Sequence, residues 1–189
     1  EEIKKVIADE YDRHSFILQD EKLANRKERY LRIQNAEGNI SDYSSSLKFL
    51  SECLEKYYNN KVIILIDEYD VPLENSFFRG FYEEMIDFIR SLFESALKTN
   101  SSLEFAVITG CLRISKESIF TGLNNLEIIS ILNKSYDEYF GFTPEEVKKI
   151  CCDYNIEKKY ELIKEWFNGY IFGDANVYNP WSVVRFVKD

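Results

Sequence analysis

The sequence predicts an α/β fold: a parallel sheet flanked by helices, followed by a small helical subdomain. Three observations predict it. Lys61 to Asp67 and Leu103 to Ile108 are two apolar, largely β-branched runs. Between them, Phe81, Met85, Phe88, Ile89, Leu92, Phe93 and Ala96 recur at helical spacing. Beyond about Asn133 the texture changes to short capped segments, such as Thr143-Pro144-Glu145-Glu146.

In chain order, Ile3 to Tyr30 holds Ile3, Val6, Ile7, Tyr11, Ile17, Leu18 and Leu23 at helical intervals, which predicts one or two charged amphipathic helices. Residues 32–40, with "NAEGN", read as a loop. Ser41 or Asp42 is expected to cap the next helix, whose apolar face is Leu47, Leu50, Cys53, Leu54 and Tyr57 and which ends near Asn59-Asn60. The strand at 61–67 is apolar throughout rather than alternating, so both of its faces are expected to be buried. "VPLENSFFRG" reads as a loop, Phe81 to Leu97 as a long helix, and Leu103 to Ile108 as a second strand. Strand, helix and strand at this spacing predict a right-handed βαβ unit with parallel strands. Ser115 to Phe120 reads as a short helix and Glu127 to Leu132 as a third strand. Pro144 at a first helical position, a helix over about 158–167, a turn or hairpin at "NGYIFG" and a last helix capped by Asn179-Pro180 complete the tail. The expected domains are thus 1–133 and 134–189.

Composition narrows the function. With 189 residues, 45% of them hydrophobic, the chain can bury a real core. Its net charge of -9 does not supply the attraction that dominates nucleic-acid binding. Direct nucleic-acid binding is therefore not expected. The longest apolar run, Val62 to Ile66, falls far short of the ~20 residues a membrane helix needs. Cys53, Cys111, Cys151 and Cys152 form no C-x-x-C pair, which fits reduced thiols and a cytoplasmic location. His14, the single histidine, reads as a surface residue and leaves no room for a His-rich metal site. The chain opens on Glu1-Glu2, and its one methionine is Met85, which suggests a piece of a longer protein.

The chemistry concentrates in "KVIILIDEYDVPL". Ligands of parallel sheets bind outside the carboxyl ends of the strands. An apolar strand that ends in Asp67-Glu68 is the Walker B pattern of P-loop NTPases. A rigid strand there would fix Asp67 as a Mg²⁺ ligand, through the ion's water shell, and Glu68 as the group that orients or deprotonates the attacking water. At the tip of the next strand, Thr109 would contact the γ-phosphate or the water, and Arg113 would neutralise developing charge. A solvated acidic turn and a plain Thr-Gly exit turn explain the same residues without chemistry. No glycine (38, 80, 110, 122, 141, 169, 173) is followed by Lys-Ser or Lys-Thr, so the phosphate loop G-x-x-x-x-G-K-[ST] is absent.

Together "KVIILIDEYDVPL", "ITGCLRISKESIFTGLNNL", "YFGFTPEEV", "WFNGYIFG" and "VYNPWSVV" resemble the AAA-ATPase-like family of bacterial, mainly anaerobe, genomes. The order and spacing fit from about residue 41 to the end. The resemblance implies a P-loop ATPase of the STAND-like or archaeal-ATPase type, with an "RPRRFGKT"-like phosphate loop upstream and commonly a PD-(D/E)XK nuclease-like domain downstream. It implies that Asp67 and Glu68 are the Walker B pair, with ATP and Mg²⁺ as ligands of the complete protein. It suggests a role for Thr109 and Arg113, and it implies that the "NGY…F" and "NPWS" motifs belong to a helical or winged subdomain.

On this reading the chain is the Walker B and sensor half of an ATPase, inactive alone and reaching nucleotide only with the missing N-terminal part. A second reading makes it a degenerate NTPase-like interaction module that self-associates through a strand edge left bare. A third makes Asp67 and Asp70 the centre of another Mg²⁺ enzyme, a phosphatase, nuclease or helicase. No Lys-bearing nuclease pattern or helicase partner motif accompanies them.

Overall fold

The computed structural model describes residues 2–111, 119–120, 123 and 126–188. They fall into two compact units, Glu1–Asn125 and Leu126–Asp189.

The first unit opens with helix α1 (Glu2–Arg13), two 3₁₀ segments (Ser15–Gln19 and Glu21–Arg26) and α2 (Lys27–Gln34). The helical reading of this region holds, but the path is broken. Asp20 ends one 3₁₀ segment in extended geometry and caps the next by accepting from the Lys22 amide at 2.9 Å. Short α3 (Ile40–Ser44) and α4 (Ser46–Tyr58) follow. The cap of α3 is Asn39 rather than Ser41 or Asp42. Its side chain accepts from the Asp42 amide, and the Asp42 carboxylate accepts in turn from the Asn39 amide, which is a capping box. α4 ends where Asn59 turns left-handed, as the Asn-Asn pair predicts.

These helices close over Ile7, Tyr11, Ile17, Leu23, Tyr30, Ile33, Tyr43, Phe49, Leu50 and Cys53. Buried tyrosines need partners for their hydroxyls. Tyr11 donates to the Ser46 carbonyl and Tyr30 to the Tyr11 carbonyl, both at 2.7 Å. Burial pushes both phenols up, so they stay protonated donors. Asp42 is buried too. Burial alone would raise its pKa, but hydrogen bonds from Arg32 and the Asn39 amide, with the Arg32 and Arg29 charges, outweigh it and hold the carboxyl below its ordinary range. His14 is partly buried rather than on the open surface, because its Nε2 turns back to Glu10 Oε1 at 3.1 Å.

Strand β1 (Val62–Ile66) then runs parallel to β2 (Leu103–Ile108), paired from Val62↔Leu103 to Ile66↔Ile108 with one irregularity after Val62. Their connection differs from the expected one. "VPLENSFFR" is not a loop but helix α5 (Val71–Arg79). Pro72 sits in its first turn, where a missing N–H costs nothing, and left-handed Gly80 ends it. The Gly80 amide bonds the Phe77 carbonyl and the Phe81 amide the Ser76 carbonyl, the two bonds of a Schellman stop. α6 (Tyr82–Phe93) follows and widens into a π turn, Glu94–Lys98.

One side of this sheet packs. Ile66, Tyr69 and Ile108 lie against Leu73, Ile86, Ile89, Leu92, Phe93 and Ile119. The other side does not, contrary to the expectation that β1 is buried on both faces. Ile63 and Leu65 are 59% and 74% exposed, beside Phe105 at 59% and Val107 at 41%. Among the described residues no helix covers them.

The second unit has a different texture. Residues 126–132 form no strand. Local bonds occupy that backbone instead: the Gly173 amide takes the Ile131 carbonyl at 2.8 Å, and the Asn133 side chain takes the Ser130 amide at 2.9 Å. α7 (Pro144–Asp153) starts at a Thr143–Glu146 capping box. α8 (Tyr160–Phe167) leads into an antiparallel hairpin, β3 (Asn168–Phe172) and β4 (Ala175–Tyr178), and α9 (Pro180–Lys188) closes the unit. The Asn179 side chain caps α9 by accepting from the Ser182 amide at 3.1 Å. Val147, Cys151, Ile163, Tyr178 and Val183 form its core. The unit is helical with one hairpin.

Candidate functional site

Parallel pairing brings the carboxyl ends of β1 and β2 side by side. The Thr109 amide donates to the Ile66 carbonyl at 2.9 Å, and the Tyr69 amide returns to the Thr109 carbonyl at 3.1 Å. Backbone pairing therefore continues beyond the last residue of each strand, to Tyr69 on one side and Thr109 on the other. That pairing places the Thr109 hydroxyl against Asp67, to whose Oδ1 it donates. The same oxygen accepts from the Glu68 amide at 3.0 Å. Two residues 42 apart in sequence thus meet at one carboxylate.

Glu68 holds a φ of 53°, in the left-handed region that disfavours a side chain. Such strain costs on the order of 1–3 kcal/mol and must be held by its surroundings. Here the Glu68 carbonyl accepts from the Val71 amide at 3.2 Å, while Asp67 holds the Glu68 amide. Asp67, Glu68 and Thr109 are all exposed. Arg113 lies outside the described residues.

Asp70 is the residue sequence reasoning undervalued. It is only 4% exposed, and its carbonyl accepts from the Leu73 and Glu74 amides at 3.0 and 2.9 Å as α5 begins. Its Oδ1 and the Tyr69 ring crowd Gly110, the residue after Thr109. A turn-forming Thr-Gly pair carries no signal of such a contact, which exists only once the two strand tips are adjacent.

Among the described residues no three His, Cys, Asp or Glu side chains are grouped as a ready metal cage. The donors at the tips are one or two carboxylates and a hydroxyl, all hard oxygens. That set fits Mg²⁺, which keeps much of its water shell and takes one or two carboxylates plus substrate phosphates. It does not fit a dedicated zinc site. A shallow groove at the opposite end of the strands, lined by Glu55, Asn59, Asn60, Lys61 and Glu104, is remote from these groups.

A family model described as "Predicted AAA-ATPase" matches residues 3–120, more than half of the chain. The chain belongs to this AAA-ATPase-like family. The match starts ahead of the motif resemblance, taking in the first helices, and stops before the tail motifs. An "Uncharacterized protein in vnfD 5'region" of Azotobacter chroococcum mcd 1 is 31% identical over 125 residues, 66% of this chain and 24% of the relative. The chain spans about a quarter of that relative's length. No solved structure matches it. Among the described residues no helix is long and apolar enough to cross a membrane.

Proposed function

We propose that the first unit is the Walker B and sensor half of a Mg-ATP hydrolysis site in a P-loop ATPase. The observation that carries this is the Thr109 hydroxyl on the Asp67 carboxylate, where two parallel strands end. Family membership supports the class. In this reading Asp67 would hold Mg²⁺, and the ion would neutralise charge on the phosphates. Glu68, held in a strained conformation beside it, orients or deprotonates the attacking water. Thr109 senses the γ-phosphate or that water, and Arg113 neutralises charge developing in the transfer.

The phosphate cradle would come from elsewhere in the intact cytoplasmic protein, because no Gly-Lys-Ser/Thr loop occurs in these 189 residues. This chain alone then binds nucleotide weakly and does not turn it over. The second unit serves as a helical lid or winged-type module. The test is Glu68→Gln in the intact protein: ATP hydrolysis should disappear while folding is retained. Hydrolysis at the unmutated rate would remove Glu68 from the mechanism.

One observation favours a second reading, a non-catalytic interaction module. Ile63, Leu65, Phe105 and Val107 form an exposed apolar face that could dock a partner or a second copy. Light scattering separates the readings, since self-association at micromolar concentration supports the second and a monomer at high concentration opposes it.

A further inference from the structure

We propose that Gly110 is a positioning residue: the Tyr69 ring and the Asp70 carboxylate close on its bare α-carbon and hold the β2 tip where the Thr109 hydroxyl meets Asp67. The inference rests on the proposed ATPase site and adds a device to it.

A methyl group built on Gly110 would lie 2.6 Å from Tyr69 Cε1 and 2.7 Å from both Asp70 Oδ1 and Tyr69 Cδ1. Nonbonded carbons prefer about 3.5–4.0 Å, so any side chain here demands a shift of about 1 Å. Neither wall yields easily. The Tyr69 ring is packed edge-on to Phe120 with centroids 5.4 Å apart and tilted against Phe93 at 6.4 Å. Asp70 is buried where α5 starts, with its carbonyl committed to two amides of the first turn. The softer element is the tip of β2, which is exposed at Thr109 and Gly110. A substitution would therefore push the tip away from Asp67 and break the hydroxyl contact. The buried Asp70 side chain forms one wall of the latch. Gly110 needs to be glycine for close approach, not for left-handed backbone.

The test has two arms. In this chain, the ¹³C-methyl signal of Thr109 reports the tip directly. Gly110→Ala should displace it, while the control Gly169→Ala, whose added methyl meets nothing within 4 Å, should not. Asp70→Ala removes one wall without adding atoms and is the second variant should Gly110→Ala fold poorly; it should move the same signal. An unmoved Thr109 signal in folded protein would overturn the latch.

In the intact protein, Gly110→Ala should lower kcat for ATP about 10–100-fold, the usual consequence of a misplacement near 1 Å. KM should change by a smaller factor than kcat, because Thr109 is only one of the groups that meet the bound nucleotide. A merely structural role would lower the melting temperature and leave kcat per folded molecule alone, which would overturn the proposal. Glu68→Gln run alongside separates the two failures. Full activity in that variant sinks the ATPase site and the catalytic half of this inference with it, while the methyl signal still judges the latch.

Discussion

The two faces of the β1–β2 sheet carry the same kinds of residue and meet opposite fates. On the packed face, Ile64, Ile66 and Ile108 turn toward the interior with Leu73, Leu92 and Phe93. On the open face, Ile63, Leu65, Phe105 and Val107 stand in solvent. A solvated sheet face usually reads as polar alternation. This one is aliphatic and aromatic, so its residues suit a covered surface even though the described residues cover only the other side. The packed face supplies stability, while the open face leaves apolar area in solvent.

Breaking the packed face should have the largest effect. Phe93→Ala removes a fully buried ring beneath the sheet and should cost about 3–5 kcal/mol in urea unfolding. A cost under 1 kcal/mol would mean that this core is not what holds the sheet. The helical core supplies the next test. Asp42→Ala removes half of a capping box and should cost about 0.5–2 kcal/mol.

The same carboxylate predicts a pH effect. Its folded pKa is depressed, so its stabilisation is full above the ordinary carboxylate pKa and is lost as pH falls toward the depressed folded value. The wild-type midpoint should therefore drop through that acid window, and the Asp42→Ala midpoint should drop less. Parallel curves would remove Asp42 from the account. The smallest effect belongs to the open face. Leu65→Thr should change stability by no more than about 0.5 kcal/mol. If it also lowers self-association in light scattering, the open face is a contact surface. A large loss of stability would show that face to be packed in solution.

Where the chain gives local instructions, its sequence was readable. The capping box at Thr143–Glu146, the Asn179-Pro180 helix start and the Asn59 stop are decided within a turn of backbone, and all three stand as read. β2 is found at the bounds its composition suggests. Two elements were misread, each for its own reason. "VPLENSFFRG" looks like a loop because Pro and Gly bracket it, yet those residues mark the start and stop of α5. Glu127–Leu132 looks like a strand because it is aliphatic, but strand formation needs a neighbour, and its backbone bonds go to Gly173 and Asn133 instead.

The candidate site divides the same way. Its residue types, an apolar strand ending in Asp67-Glu68 and a second ending in Thr109, follow from the sequence, since residue chemistry and strand propensity are local. That the Thr109 hydroxyl finds Asp67, and that Asp70 and Tyr69 close on Gly110, depend on parallel register between residues some forty positions apart. Only the folded chain decides them, because each contact needs both strand tips in place at once.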